Sequence, residues 1–88
     1  MNYQAFDSQY NTRDNNGIIT KASVIDFDGN VVFNGTIREI DDFMDLDCSP
    51  IWKDNKYVGQ QYNGKRVINT NIAGKYAEHI FNQLNFSL

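Results

Sequence analysis

Apolar positions recur along this chain with two different periods. The first apolar run, Ile18 to Phe27, contains Ile18, Ile19, Thr20, Val24, Ile25 and Phe27, and the second, Asn30–Asn34, contains Val31, Val32 and Phe33. Asp28-Gly29 stands between them. Two apolar runs joined by Asp-Gly predict a β-hairpin with a type I′ turn. Both central residues of that turn need positive φ, which Gly tolerates freely and Asp better than most residues. The period then becomes helical. Ile37, Ile40, Phe43 and Met44 share one face of a helix from Ile37 to about Asp45. Thr36 and Glu39 have the spacing of a capping box, in which each side chain satisfies the other's free backbone N–H. Leu46 is expected to fold back onto the core, and Asp47-Cys48-Ser49-Pro50 ends the helix.

The same alternation recurs in the second half. Lys56–Tyr62 leads into Asn63-Gly64, another favoured I′ pair, and Lys65–Asn69 is the return strand. Asn71 is placed to cap a final helix, Ile72 to about Asn85, with Ile72, Ala73, Tyr76, Ala77, Ile80, Phe81 and Leu84 as its apolar stripe. Residues 1–17 read as a polar N-terminal arm. Tyr3, Phe6 and Tyr10 could pin it to the body, and their spacing permits a short helical turn. Asp14-Asn15-Asn16-Gly17 turns the chain into the first strand. The expected fold is α+β: one small domain over residues 18–88, ordered ββαββα, with two antiparallel hairpins and two helices.

Length and composition narrow the function classes. Eighty-eight residues make one thin-cored domain with little room for a deep pocket. Apolar content of 41% argues against wholesale disorder. Cys48 is the single cysteine, so no internal disulfide and no paired-cysteine zinc site can form. No apolar run approaches the roughly 20 residues that cross a bilayer, and the polar start lacks a signal-peptide core. These features predict a cytoplasmic protein without a membrane partner. Charge is uneven. Residues 1–50 carry nine acids against three bases, or −6, and residues 51–88 carry five bases against two acids, or +3. Two differently charged faces are implied, though both also suit plain solvated surface.

Catalytic readings fail for lack of partners. Asp26-Phe27-Asp28-Gly29 after an apolar strand looks like the first motif of haloacid-dehalogenase phosphatases, whose leading aspartate attacks a phosphoryl group. That family also needs a parallel sheet and distant lysine and aspartate groups, for which 88 residues leave no room. Turn chemistry accounts for the motif without any reaction. An EF-hand counted from Asp26 would put Val31 where glycine is required and Ile37 where glutamate is required. His79, the lone histidine, has no evident nucleophile. Cys48 lies past a helix C-terminus, where the dipole disfavours a thiolate. The chain therefore reads as non-enzymatic, with no metal or cofactor.

Two constellations suit binding. Glu39, Asp41, Asp42, Asp45 and Asp47 put carboxylates on or beside the first helix with little compensation, a surface able to imitate DNA phosphates toward a basic channel. The plainer alternative is a solvated helix face. Trp52, Lys53, Lys56, Tyr57, Tyr62, Lys65 and Arg66 interleave rings and cations, which suits phosphate contact and base stacking. Its plainer alternative makes Trp52 and Tyr57 the core of the second hairpin.

The stretch Val24–Leu46 resembles NUMOD-type modules found beside intron-encoded endonucleases, and related small proteins of Gram-positive phages. The shared pattern is a hairpin turn with Asp26 and Gly29, the Thr36 cap, and Ile40 and Phe43 in the helix core. The resemblance covers about a quarter of the chain and implies a phage or mobile-element origin and a helix–turn–helix. The sequence departs after Leu46. Only Ile51–Asn55 could be helical there, and a recognition helix would need several side chains at base edges. The leading expectation is an accessory protein binding a host protein, in its sharpest form an anti-CRISPR-like inhibitor of a defence nuclease. The alternatives are a degenerate DNA-binding module, and a dimer formed through Ile80, Phe81, Leu84, Phe86 and Leu88.

Overall fold

The computed structural model describes residues 3–84. The chain is organised about β2, Ile19–Asp26, in which Ala22 to Asp26 are all buried. One edge of β2 pairs antiparallel with β3, Val31–Thr36. The opposite edge is shared. β1, Thr12–Arg13, pairs with its first residues, and β6, Lys65–Asn69, pairs with its last. Beyond β6 the sheet continues through β5, Lys56–Tyr62, to β4, Ser49–Lys53, making six antiparallel strands. The fold is α+β, as the sequence predicts, with a helix and two strands more than expected.

Helices cover both faces of the sheet. Ala22, Val24 and Val67 point toward α2, Ile37–Leu46, and meet Ile40, Phe43 and Cys48. Ile25 and Ile68 point the other way. They meet Phe6 and Tyr10 of α1, Tyr3–Tyr10, together with Ile80 of α3, Gly74–Phe81, and Leu84 just beyond it. A strand covered on both faces has no reason to alternate, which explains the unbroken burial from Ala22 to Asp26. Ring pairs fill the cores: Phe33 stacks on Phe43 with centroids 4.6 Å apart, and Phe6 meets Tyr10 edge-on at 5.1 Å.

A polar joint holds the edge where β2 changes partner. The Thr70 hydroxyl accepts from Ser23 N at 2.9 Å and donates to Asn11 Oδ1 at 2.7 Å. Asn11 Nδ2 returns a bond to the Thr70 carbonyl, and Ser23 Oγ donates to the Tyr10 carbonyl. Thr70, Ser23 and Asn11 are all buried, so these bonds replace water they cannot reach.

Several expectations are corrected. Residues 3–13 are not an arm beside the domain: Phe6 is fully buried, and the Tyr10 hydroxyl donates to the Gly29 carbonyl at 2.7 Å. The first hairpin does not turn at Asp28-Gly29 in type I′ form. Gly29 N donates to the Asp26 carbonyl, so the turn centres on Phe27-Asp28, and only Gly29 takes positive φ, at 90°. Asp26 N closes the loop to the Asn30 carbonyl, giving a three-residue loop with a glycine bulge. The second hairpin does have the expected form, with Asn63 and Gly64 at φ 52° and 79°.

Leu46 does not fold back. It is 77% exposed at the end of α2. Ile51–Asn55 is not helical, because Ser49–Lys53 forms β4 and pairs with β5 through a tight turn in which Asp54 and Asn55 both have positive φ. The second helix of a helix–turn–helix is therefore replaced by a strand. Asn71 caps nothing. Its N–H donates to Asn69 Oδ1, and Ile72 N donates to the Thr70 carbonyl, so the chain is still turning there. α3 starts only at Gly74, with Ala73 as a cap that makes no side-chain bond. It ends at Phe81, with Asn82 as its C-cap, short of the expected end near Asn85.

Candidate functional site

α2 starts because its cap is satisfied from both sides. Thr36 Oγ1 accepts from Glu39 N, and Glu39 Oε1 accepts from Thr36 N. Hydrogen bonding to its carboxyl from Thr36, backbone first and side chain second, holds Glu39 below its ordinary value. Glu39 therefore serves the fold, and its carboxylate is not a free part of the acidic row. The other four expected acids, Asp41, Asp42, Asp45 and Asp47, are all exposed. Among the described residues the one ion pair is Arg13 with Asp7, so none of these four carboxylates has a salt bridge.

Their placement opposes helix electrostatics. They run from the middle of α2, at Asp41 and Asp42, into its last turn, at Asp45, and to its C-cap, Asp47; at that end the dipole favours cations, and the last turn holds no base. Asp41 and Asp45 are also like charges four residues apart, which destabilises a helix by a few tenths of a kcal/mol. Exposed Leu46 stands among them. Shallow hollows flank this ridge. One, of about 230 Å³, is lined by Phe33, Glu39, Asp42, Phe43, Leu46 and Asp47. The other, of about 440 Å³, is lined by Asp41, Met44, Asp45, Tyr57, Gln60 and Asn69.

The basic and aromatic set is only partly assembled. β6 pairs with β5 only over Gln60–Tyr62, whereas β4 pairs with β5 out to Lys53↔Lys56. The outer half of the β4–β5 hairpin thus projects without a third strand. It carries Trp52 and Tyr57, 65% and 57% exposed, with centroids 6.0 Å apart, and Lys53 and Lys56 beside them. These rings are not hairpin core, because both remain largely open to solvent. Lys65 sits at the far end of β5, about 20 Å from Lys56 at ~3.3 Å per residue. Arg66 lies 4.4 Å over the Phe27 ring, and Tyr62 packs on Phe43.

No family model, curated protein or solved structure matches the chain.

Asp26, Cys48 and His79, which invited catalytic readings, lie apart in the fold, and Asp26 is engaged in its own loop. Asp26 Oδ1 accepts from Asp28 N and Asn30 N, and Oδ2 accepts from Asn30 Nδ2, so the carboxylate ties the hairpin loop together. Burial pushes its pKa up. The Asn30 backbone and side chain, the Asp28 N–H and the charge of Lys65 outweigh this and hold it below the ordinary carboxylate value. Cys48 is buried, and burial, aided by the Asp47 charge, raises its thiol. His79 Nε2 lies 2.7 Å from Gln83 Nε2 on the exposed side of α3. Among the described residues no group of three or more His, Cys, Asp or Glu could hold a metal, and no helix is long and apolar enough to cross a membrane. Of the expected dimer residues, Ile80 and Leu84 are already buried in the chain's own core and Phe81 packs against it, while Phe86 and Leu88 lie outside the described residues.

Sequence reasoning missed the exposure of Leu46, and left Trp52 and Tyr57 open between stacking surface and hairpin core. Asp54-Asn55 was the available signal, since both residues tolerate positive φ and can join two strands.

Proposed function

We propose that this chain is a non-enzymatic binding protein that docks a basic surface of a partner protein through the outer face of α2. Asp41, Asp42, Asp45 and Asp47 form the charged rim and Leu46 the apolar anchor. One observation carries the reading: four exposed carboxylates without a salt bridge follow one another from the middle of α2 to its C-cap, and two of them, Asp45 and Asp47, stand at the end where the dipole disfavours them. A sequence selected for helix stability alone would place cations there, and such local conflicts concentrate at functional surfaces. An exposed leucine ringed by charge has the form of an interface, an apolar contact inside a polar rim.

In its sharpest form, the partner is a nuclease of the host's defence, and the row of carboxylates occupies its nucleic-acid channel. The resemblance of Val24–Leu46 to phage and mobile-element modules supports that setting, with the host cytoplasm as its compartment. The test uses the intact chain as bait in host extract beside an Asp41→Lys/Asp42→Lys variant with the same thermal melt. The reading expects a partner held by the first, lost by the second and released by competing DNA. A partner held equally by both baits would overturn it.

A second reading has its own support. Exposure of Trp52 and Tyr57 on a projecting hairpin with Lys53 and Lys56 favours nucleic-acid contact by that hairpin. Its signature is duplex or single-strand binding that weakens steeply with salt and is lost in Lys53→Glu/Lys56→Glu.

A further inference from the structure

Where β5 leaves β6, a cleft of about 430 Å³ opens between the hairpin and α3. That is within the ~300–1,000 Å³ typical of small-molecule sites. Tyr57 and Val58 form one wall, Tyr76 and His79 the other, and Ile68 and Asn69 lie between them. The chain is acidic overall, yet no Asp or Glu lines this cleft. Asp41 and Asp45 belong to the adjoining hollow on the α2 side. The one permanent cation lining the cleft is Arg66.

Arg66 is held in place. Its guanidinium lies over Phe27, and Nη1 donates to Gln83 Oε1 at 3.3 Å. Gly59 leaves it room, since a Cβ at that position would stand 3.0 Å from Arg66 Nε. Among the described residues nothing else accepts from the guanidinium, which leaves donors for an anion from outside. Tyr57 is also fixed, because its hydroxyl donates to Gln60 Oε1 while Gln60 Nε2 donates to the Met44 carbonyl. Tyr76 presents a ring that is 58% exposed. The Asn69 and Asn71 amides complete the lining. Flat rings, amides able to read a heterocycle's edge, and one prepositioned guanidinium without a competing carboxylate are the complement of a nucleotide.

We propose that this cleft binds a free nucleoside monophosphate, its base against Tyr57 and Tyr76 and its phosphate on Arg66. The site is separate from the outer face of α2 and stands or falls without it. The test is an NMR titration of the ¹⁵N-labelled chain with AMP, GMP, CMP and UMP, and with adenosine as the uncharged control. Amide shifts are expected at Gly59, Asn69, Asn71, Tyr76 and His79, with a nucleotide binding at least about tenfold tighter than its nucleoside. Arg66→Gln should bring AMP down to the adenosine level, and Tyr76→Ala should weaken both. Spectra that keep the wild-type dispersion show that each variant is folded. Several results would overturn the proposal: no shift with any of the four nucleotides up to about 5 mM, equal binding of AMP and adenosine, shifts confined to Lys53–Lys56, or binding of oligonucleotides alone.

Discussion

Thr70→Val tests the joint that lets β2 serve two partners on one edge. Valine keeps the shape of threonine and removes only the hydroxyl. That hydroxyl accepts from Ser23 N and donates to Asn11 Oδ1, in a place water does not reach. The substitution leaves one donor and one acceptor buried without partners, at about 1–3 kcal/mol each. Partial relaxation should keep the total near ~2–4 kcal/mol. An 88-residue domain has roughly 4–13 kcal/mol of stability to lose. At about 4–8 °C per kcal/mol, the midpoint should fall by at least about 8 °C. Urea and thermal melts followed by far-UV circular dichroism measure this. Thr20→Val is the control, because that hydroxyl makes one exposed 3.3 Å bond to the Thr12 carbonyl and should matter by less than about 0.5 kcal/mol. Amide exchange at Ser23 should also quicken in Thr70→Val. If both variants melt together, the joint is not what secures β1 and β6 to β2.

Further predictions concern the core and the titrating groups. Phe6→Ala should cost about 3–5 kcal/mol, seen in the same urea melts, because Phe6 is fully buried between Tyr10 and Phe81; a wild-type melt would mean that residues 1–17 are a detachable arm after all. Asp26 has its folded pKa below the ordinary 3.8, so its contribution is complete above that value and is lost as pH falls through the lower folded one. Melts from pH 6 to pH 2 should therefore show stability falling in acid, with a shallower fall in Asp26→Asn. Equal slopes would contradict the turn-tying role. The Cys48 thiol, buried and raised, should react with a disulfide reagent only as fast as the chain unfolds, and rapid labelling of the native protein at pH 8 would show otherwise.

The sequence carried the local features and lost those made by distant contacts. Thr36 and Glu39 announce the start of α2, and Asn63-Gly64 announces its hairpin, because both signals act within a few residues. Of the two positive-φ residues expected, Asp28 and Gly29, only Gly29 has it, and the turn sits one position back. Asp26 uses its side chain to gather Asp28 and Asn30, and a dipeptide rule does not contain that. Phe6 and Tyr10 pin a short helix to the body as their spacing suggests, but that this segment belongs to the core and is not an arm follows only from α3 and β2, far along the chain. Ser49–Lys53 failed to read as a strand because Pro50 and Lys53 suit only an edge, which is where β4 lies. The acids of α2 were legible as a cluster. That Glu39 serves the cap while Leu46 stands exposed among the others needed the fold.

The account rests most heavily on the outer face of α2, and affinity for the captured partner tests it most directly. Three variants with unchanged melts are compared by calorimetry: Asp41→Lys/Asp42→Lys, Leu46→Ser, and Lys53→Glu/Lys56→Glu on the hairpin. The first two should each weaken binding at least about tenfold, as loss of a rim charge pair or an apolar anchor does, and the third should leave it within about twofold. Full affinity in the first two, with loss only in the third, would move the working surface from α2 to the hairpin and contradict the account.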